Sequence, residues 1–437
     1  MITLMGIAGG FALLLLLLAA GISVAVAIFT VATAGVLMYL NTSLLFNFGN
    51  NLWATLNDFL LTAIPLFILL GEILLRCGIT ERMYGALSVW LQRLPGGLLH
   101  TNIGASTVFS AMSGSSVATA ATIGTVALPA FQQRGYNERL ALGSLAAGAT
   151  LGILIPPSIN MIIYGAITNT SIGKLFIAGI LPGLALALAF SATIYLYAVF
   201  KPGVAGQGEP LASWDEKLAA LKDLLPPAFV FFIVMGSIYS GWATPTEAAA
   251  LGVVAALLVA AQRRKLTLTM LHECFLSMAR TTAMLLLIIV GAYFMNYVVG
   301  ILGIPAALSR WVSELGLSPL TLILMLVVFY LVLGCFLETL SMMIATVPIV
   351  VPLVMQFGFD PVWFGIFLVL MMEISLITPP VGMNLYVVQG VRGRGAITDV
   401  MLGSLPFMLV MLLFVLGMII WPQAVLWLPD LMMSTGG

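Results

Sequence analysis

Two double-proline motifs, Ile155-Pro156-Pro157-Ser158 and Thr378-Pro379-Pro380-Val381, each interrupt a long apolar run, and they lie 223 residues apart in a chain of 437. Other landmarks recur at nearly the same offset: Pro129 with Pro352, and, after a one-residue slip, Gly179 with Gly403 and Leu181-Pro182 with Leu405-Pro406. Proline ends a helix by removing a donor and by clashing with the preceding turn. A break repeated at matched places marks an internal repeat. In a bilayer, the carbonyls freed at such a break need a partner, and an ion or solute is a common one.

A bilayer is the setting the composition requires. Hydrophobic residues make up 62% of the chain and charged residues 7%, against about 25% charge in an ordinary soluble domain. Runs such as Leu13–Val36, Leu224–Ile238 and Phe407–Trp421 are long enough, or nearly so, to cross about 30 Å of hydrocarbon. The first 40 residues lack the basic start and short apolar core of a signal peptide. Cys77, Cys274 and Cys335 have no metal-binding spacing, and their odd count argues against a disulfide framework. Sixteen basic residues balance sixteen acidic ones, so no nucleic-acid surface is expected.

Each half reads as five crossing helices plus one re-entrant hairpin. In the first repeat, 1–200, the spans are 3–20, 22–40, 58–76, 139–168 (broken at 156–157) and 173–200; an amphipathic segment, Glu81–Leu94, precedes a hairpin near 99–131. A polar connector, 201–222, leads to the second repeat, 223–437. Its spans are 224–240, 246–262, 276–297, 361–390 (broken at 379–380) and 396–424, with a hairpin near 318–357. The fold class is therefore an all-α polytopic membrane protein. An odd number of crossings per half makes the repeats inverted in topology. With both termini outside, fourteen of the sixteen basic residues fall on the cytoplasmic side and only Lys174 and Arg310 fall outside, as the positive-inside rule favours. The two hairpins then enter from opposite faces.

The first hairpin carries Ser113-Gly114-Ser115-Ser116 followed by Ala118-Thr119-Ala120-Ala121-Thr122. Small hydroxyl residues between apolar half-helices let the chain reverse within the membrane. Their hydroxyls and freed carbonyls are neutral oxygens that suit a partly dehydrated Na⁺, while half-helix N-termini suit an anion. A small-residue packing seam is the competing reading, and the downstream double proline weighs against it. In the second hairpin, Glu338-Thr339-Leu340-Ser341 occupies the matching position, with Glu338 aligned on Ser115. An ionisable residue at membrane depth is a functional candidate; Glu338 either helps hold a cation or is a protonated or hydrogen-bonded hairpin cap, and Glu373, ahead of the second double proline, has the same two readings. Glu72 and Glu247 read as caps or partners of nearby basic groups. His100 and His272 have no neighbouring ligands, and no zinc spacing, phosphate loop, nucleophile elbow or catalytic carboxylate pair is present, so no enzyme and no cofactor is expected.

Several strings together resemble one family: Ala63-Ile64-Pro65-Leu66-Phe67 through Gly71, Ser113 through Ala120, Ile155 through Ile159, Ser171 through Gly183, Thr244-Pro245-Thr246-Glu247-Ala248, and Ile377 through Gly382. In this order and over most of the chain they resemble the large, DctM-type membrane subunit of tripartite ATP-independent periplasmic (TRAP) transporters. The resemblance implies an elevator-type secondary transporter of the bacterial inner membrane with two opposed hairpins, importing an organic acid anion (a C4-dicarboxylate, sialic acid, other sugar acid or keto acid) with Na⁺ as the coupling ion. It also implies a periplasmic solute-binding protein and a small four-helix membrane subunit, here expected as a separate polypeptide. By position, one Na⁺ site falls on Ser113, Gly114 and Ser116 with backbone beside Gly152 and Pro156. The other falls on Glu338 and Ser341 with backbone beside Ser375 and Thr378. The solute falls between the tips, at Ser115, Ser116, Asn160, Thr339 and Asn384. No arginine is placed in the core to clamp a carboxylate. A single-component ion-coupled carboxylate carrier and a channel-like or scaffolding membrane component are the competing functions.

Overall fold

The computed structural model describes residues 4–201, 203, 206 and 212–434, and among these every regular element is a helix. In the first half, α1 (Leu4–Ala19), α2 (Val24–Tyr39), the short α3 (Phe48–Leu56) and α4 (Ala63–Arg76) lead to the amphipathic α5 (Ile79–Leu91). Then come α6 (Leu98–Ser113), α7 (Ser116–Gln133), α8 (Glu138–Ala149), α9 (Ile159–Thr168) and α10 (Ile172–Phe200). The second half holds α11 (Trp214–Tyr239), α12 (Pro245–Gln262), α13 (Leu268–Ile301), α14 (Ile304–Glu314), α15 (Pro319–Gly334), α16 (Thr339–Gln356), α17 (Pro361–Ile377), α18 (Met383–Arg392), α19 (Ile397–Ile420) and α20 (Gln423–Ser434).

A shift of 223 residues carries Ser116 onto Thr339 and Gln133 onto Gln356, so α7 maps end to end onto α16. Allowing a few residues' slip, α8 maps onto α17, α9 onto α18 and α10 onto α19. Packing is reciprocal: α4 lies against α12, the counterpart of α2, while α2 lies against α13, the counterpart of α4. Such an exchange is what a two-fold relation between halves produces.

Among the described residues seven helices are long and apolar enough to cross a membrane, and α1, α2, α9, α15 and α17 are shorter apolar helices. Each double proline divides a predicted broken span, and one arm of each, α9 and α17, falls into this shorter group. Every residue of α17 from Val362 to Ile377 is buried, as is every residue of α8 from Leu140 to Ala149. The first arms of the two broken helices are thus the centre of the fold. Gly143 and Gly403 allow α8 and α19 to cross with backbones touching, since a Cβ on either would strike the other helix's main chain.

The structure redraws some boundaries. The 201–222 connector is partly helical: α11 starts at Trp214, capped by a reciprocal bond pair between Ser213 and Glu216. The 276–297 span is part of a 34-residue helix, α13, whose first turns carry Glu273 and Ser277, partners of Arg76 and Glu72. The 396–424 span ends at Ile420, and α20 follows after Trp421-Pro422. Neither α3 nor α14 is among the predicted segments.

Candidate functional site

The first hairpin reverses over two residues. Gly114 caps α6 in the left-handed region (φ 60°), where glycine is nearly free of penalty, and Ser115 caps α7 by accepting from the Ala118 N–H at 3.3 Å. Around this turn the Ser113 hydroxyl lies 3.2 Å from that of Thr119, and the Thr119 hydroxyl donates to the Ser115 carbonyl at 2.8 Å. The tip is pressed onto the broken helix. A Cβ at Gly114 would lie 2.8 Å from the Pro157 carbonyl oxygen, and one at Gly152 would lie 2.6 Å from the Ser116 Cα. Ser113, Gly114, Ser115, Ser116, Gly152 and Pro156 are therefore brought together, with Pro156 preceding a cis Pro157.

Behind the tip stands Glu373 of α17, from the other half of the chain. Its side chain is fully buried. The Ser116 hydroxyl lies 2.8 and 3.0 Å from its two carboxylate oxygens, and the Ile153 N–H donates to Oε1 at 2.9 Å. Among the described residues no basic side chain pairs with it. Glu373 thus ties hairpin to unwound segment by hydrogen bonds, across elements rather than as a cap of its own turn. Its counterpart in the first half is Thr150, whose hydroxyl bonds the Ala147 carbonyl of its own helix.

The second hairpin is built differently. Four residues, Cys335 to Glu338, separate α15 from α16. Glu338 caps α16, accepting from the Leu340 N–H at 3.0 Å, the Ser341 N–H at 3.2 Å and the Ser341 hydroxyl at 2.9 Å; the Thr339 hydroxyl adds a longer bond at 3.4 Å. Of its two readings, the cap is the one with observed partners. Ser375 and Thr378 turn their hydroxyls onto the Met372 and Ile374 carbonyls of their own helix, at 2.6 and 2.7 Å. Among the described residues no hydrogen bond joins Glu338–Ser341 to Ser375–Thr378. Contact with the second broken helix is made instead by Gly334, where a Cβ would strike Ser375, and by the Cys335 thiol, which reaches the Pro379 carbonyl at 3.4 Å. Neither was singled out from sequence; the Gly-Cys pair at the end of an apolar helix was the available sign. Close approach thus uses glycines on both the hairpin and the broken helix in the first half (Gly114, Gly152) and a glycine on the hairpin in the second (Gly334).

Asn160 and Asn384 occupy the second position of α9 and α18, just past the two double prolines. Both are buried. The Asn384 amide lies 3.4 Å from the Ala146 carbonyl, while the Asn160 amide nitrogen and the Asn384 amide oxygen have no partner. Ser158 caps α9, accepting from the Met161 N–H at 3.4 Å. Both helix starts therefore aim N–H groups at the breaks, a geometry that favours negative charge.

The family profile described as "Tripartite ATP-independent periplasmic transporter, DctM component" matches residues 11–424. The C4-dicarboxylate TRAP transporter large permease protein DctM of Pseudomonas aeruginosa is 37% identical over 380 residues, covering 87% of this chain and 88% of that protein. The sialic acid TRAP transporter large permease protein SiaM of Vibrio cholerae is 35% identical over 422 residues, 96% of this chain and 97% of the other. These relatives are transporter permeases, not enzymes. Among solved structures, the YdaH transporter of Alcanivorax borkumensis superposes with a TM-score of 0.58 at 15% identity, over 87% of this chain and 88% of its own. MtrF of Neisseria gonorrhoeae does so with 0.53 at 14%, over 87% and 85%. At such identities the likeness is one of fold.

Proposed function

The chain belongs to the DctM family, the large membrane component of tripartite ATP-independent periplasmic transporters, and from that premise we propose that it is the translocating subunit of a Na⁺-coupled importer for an organic acid anion. A periplasmic binding protein delivers the solute, and a small membrane subunit completes the complex. The observation that carries this reading is the first hairpin tip, held against the Gly152–Pro157 break with a buried carboxylate behind it.

The donor set there fits a hard monovalent cation. The Ser113 and Thr119 hydroxyls and the Ser115 and Pro157 carbonyls are neutral oxygens crowded at one turn, and Gly114 and Gly152 let the hairpin and broken-helix backbones close together around it. Ser113, Gly114, Ser116, Gly152 and Pro156 would line this first Na⁺ site, with Glu373 supplying negative charge through Ser116. The second pairs the Glu338–Ser341 turn with Ser375 and Thr378, and reaching that arrangement requires the Glu338 cap to turn toward the break. The solute lies between the tips, where the Asn160 amide and the N-termini of α9 and α18 offer donors to an anion without an arginine. Carboxylate-bearing solutes suit such donors, and relatives are named for C4-dicarboxylate and sialic acid transport. Na⁺ binding drives uptake only if it binds better to the arrangement that also holds solute. In an elevator cycle, the hairpins and broken helices carry the bound solute past the remaining helices, with the charge bias placing the termini outside.

Proteoliposomes holding this chain, its small-subunit partner and the binding protein test the proposal. Uptake of succinate or sialic acid is expected to require both an inward Na⁺ gradient and the binding protein. Uptake that persists without the binding protein favours a single-component carrier, and downhill flux indifferent to Na⁺ favours a channel.

A further inference from the structure

The junction where α4 ends, α5 begins, and α11, α12 and the turn into α13 meet holds a cavity of about 420 Å³ whose lining is strongly basic. Arg82, Lys222, Arg263, Arg264 and Lys265 line it, against a single acidic lining residue, Asp223. Glu81 lies near the rim beside Gly78. One Asp223 oxygen is shared by Arg82 at 3.7 Å and Arg263 at 3.9 Å. Among the described residues Lys222, Arg264 and Lys265 have no carboxylate within ion-pair distance, so three cations face one concave site uncompensated.

The backbone supports this arrangement against its own preference. Arg264 sits in the left-handed region (φ 55°), where its N–H bonds the Ala261 carbonyl and that of Lys265 bonds the Ala260 carbonyl. A helix-ending turn of this kind favours glycine. A cation at the strained position is the sort of feature that accompanies a binding site.

Two apolar stripes run from the cavity. On α11, Leu225, Phe229 and Phe232 share the face of Lys222 and are 64%, 48% and 69% exposed. On α12, Leu251, Val254 and Leu258 share the face of Gln262, another lining residue, and are similarly exposed. A soluble anion has no use for these stripes, whereas acyl chains do. We propose that this cavity binds the headgroup of an anionic phospholipid, of the phosphatidylglycerol type, with its phosphate among Lys222, Arg264 and Lys265 and its chains along α11 and α12. Basic pockets between transmembrane helices hold anionic headgroups by this chemistry. The positive-inside bias assigns the site to the cytoplasmic leaflet.

The test uses the full-length purified protein in neutral detergent with fluorescent phosphatidylglycerol and phosphatidylcholine. Phosphatidylglycerol is expected to bind at least tenfold more tightly, and the triple variant Lys222→Gln, Arg264→Gln, Lys265→Gln to bind both lipids within twofold. Arg264→Gly is read alongside it. This variant relieves the left-handed strain, so it should fold at least as stably as the wild type and still lose several-fold in phosphatidylglycerol affinity. Glycerophosphoglycerol, the headgroup without chains, is expected not to compete at equal concentration. Equal binding of the two lipids, unchanged preference in Arg264→Gly, or full competition by the free headgroup would each overturn the assignment.

Discussion

Glu373 offers the most direct test of how the first hairpin is held. Glu373→Ala removes the acceptor of the Ile153 N–H and of the Ser116 hydroxyl, both in a buried setting. A buried donor left unpaired costs about 1–3 kcal/mol, and the vacated volume adds to this, so a loss of roughly 3–5 kcal/mol is expected. Unfolding entropy of about 2.1 cal/mol/K per residue gives ~0.9 kcal/mol/K for a chain of 437 residues, which makes the expected fall in apparent Tm about 3–6 °C. Glu373→Gln behaves otherwise. Its carbonyl oxygen still accepts from Ile153, its amide can donate to the Ser116 oxygen, and any charge that must be kept out of water is gone. Its Tm without Na⁺ is expected to equal or exceed that of the wild type. Thermal unfolding in choline and in Na⁺ buffers reads both parts: Na⁺ at a hundredfold excess over Kd adds about 2.7 kcal/mol, roughly 3 °C, in the wild type and less in either variant. If Glu373→Gln fell as far as Glu373→Ala in choline, the carboxylate would not be acting as a hydrogen-bond acceptor there and the argument would fail.

Three further outcomes follow from the same geometry. Gly152→Ala places a methyl 2.6 Å from the Ser116 Cα, a backbone atom that cannot swing away; overpacking of about 1–3 kcal/mol should lower Tm and abolish Na⁺-driven uptake, and wild-type uptake would show that the tip does not need this contact. Glu338→Ala should lose a cap of about 1 kcal/mol whereas Glu338→Ser retains it, so near-normal Na⁺ affinity in Glu338→Ser identifies a cap and a large loss identifies a ligand. Arg392 pairs with both Glu138 and Asp399, at 3.0 and 3.2 Å, and its own side chain is 4% exposed while its partners are 41% and 24% exposed. Screening at the partners limits Arg392→Ala to about 1–2 kcal/mol, and a double-mutant cycle with Glu138→Ala measures how much of that is the pair.

Much of this fold could be read from the chain because its repeat is marked by residues whose backbone effects are local. Prolines and small hydroxyl residues located both breaks and both hairpin turns to within a few positions. The helix boundaries that were misplaced depend on polar residues instead. Glu273 and Arg280 sit on a helix that runs beyond the apolar core, so composition cut α13 short although the backbone continues. The start of α11 was legible, since Ser213-Trp214-Asp215-Glu216 is a capping-box pattern, but its polar setting made it look like linker. At the site, the first tip assembled from residues that sequence had singled out. The second did not, because Gly334 and Cys335 make their contacts through the absence of a side chain and through a thiol, neither of which stands out in an apolar run.

The bond between Ser116 and Glu373 has a consequence for motion. Ser116 belongs to the first half of the sequence and Glu373 to the second, and the carboxylate cannot be left bare in the interior while the hairpin moves off alone. Any displacement of the first hairpin therefore either carries the loop at Ile153 and α17 with it or breaks these bonds. The sequence divides into halves near residue 210, but the unit these bonds define is assembled from parts of both. The sequence repeat and the hydrogen-bonded unit are cut along different lines.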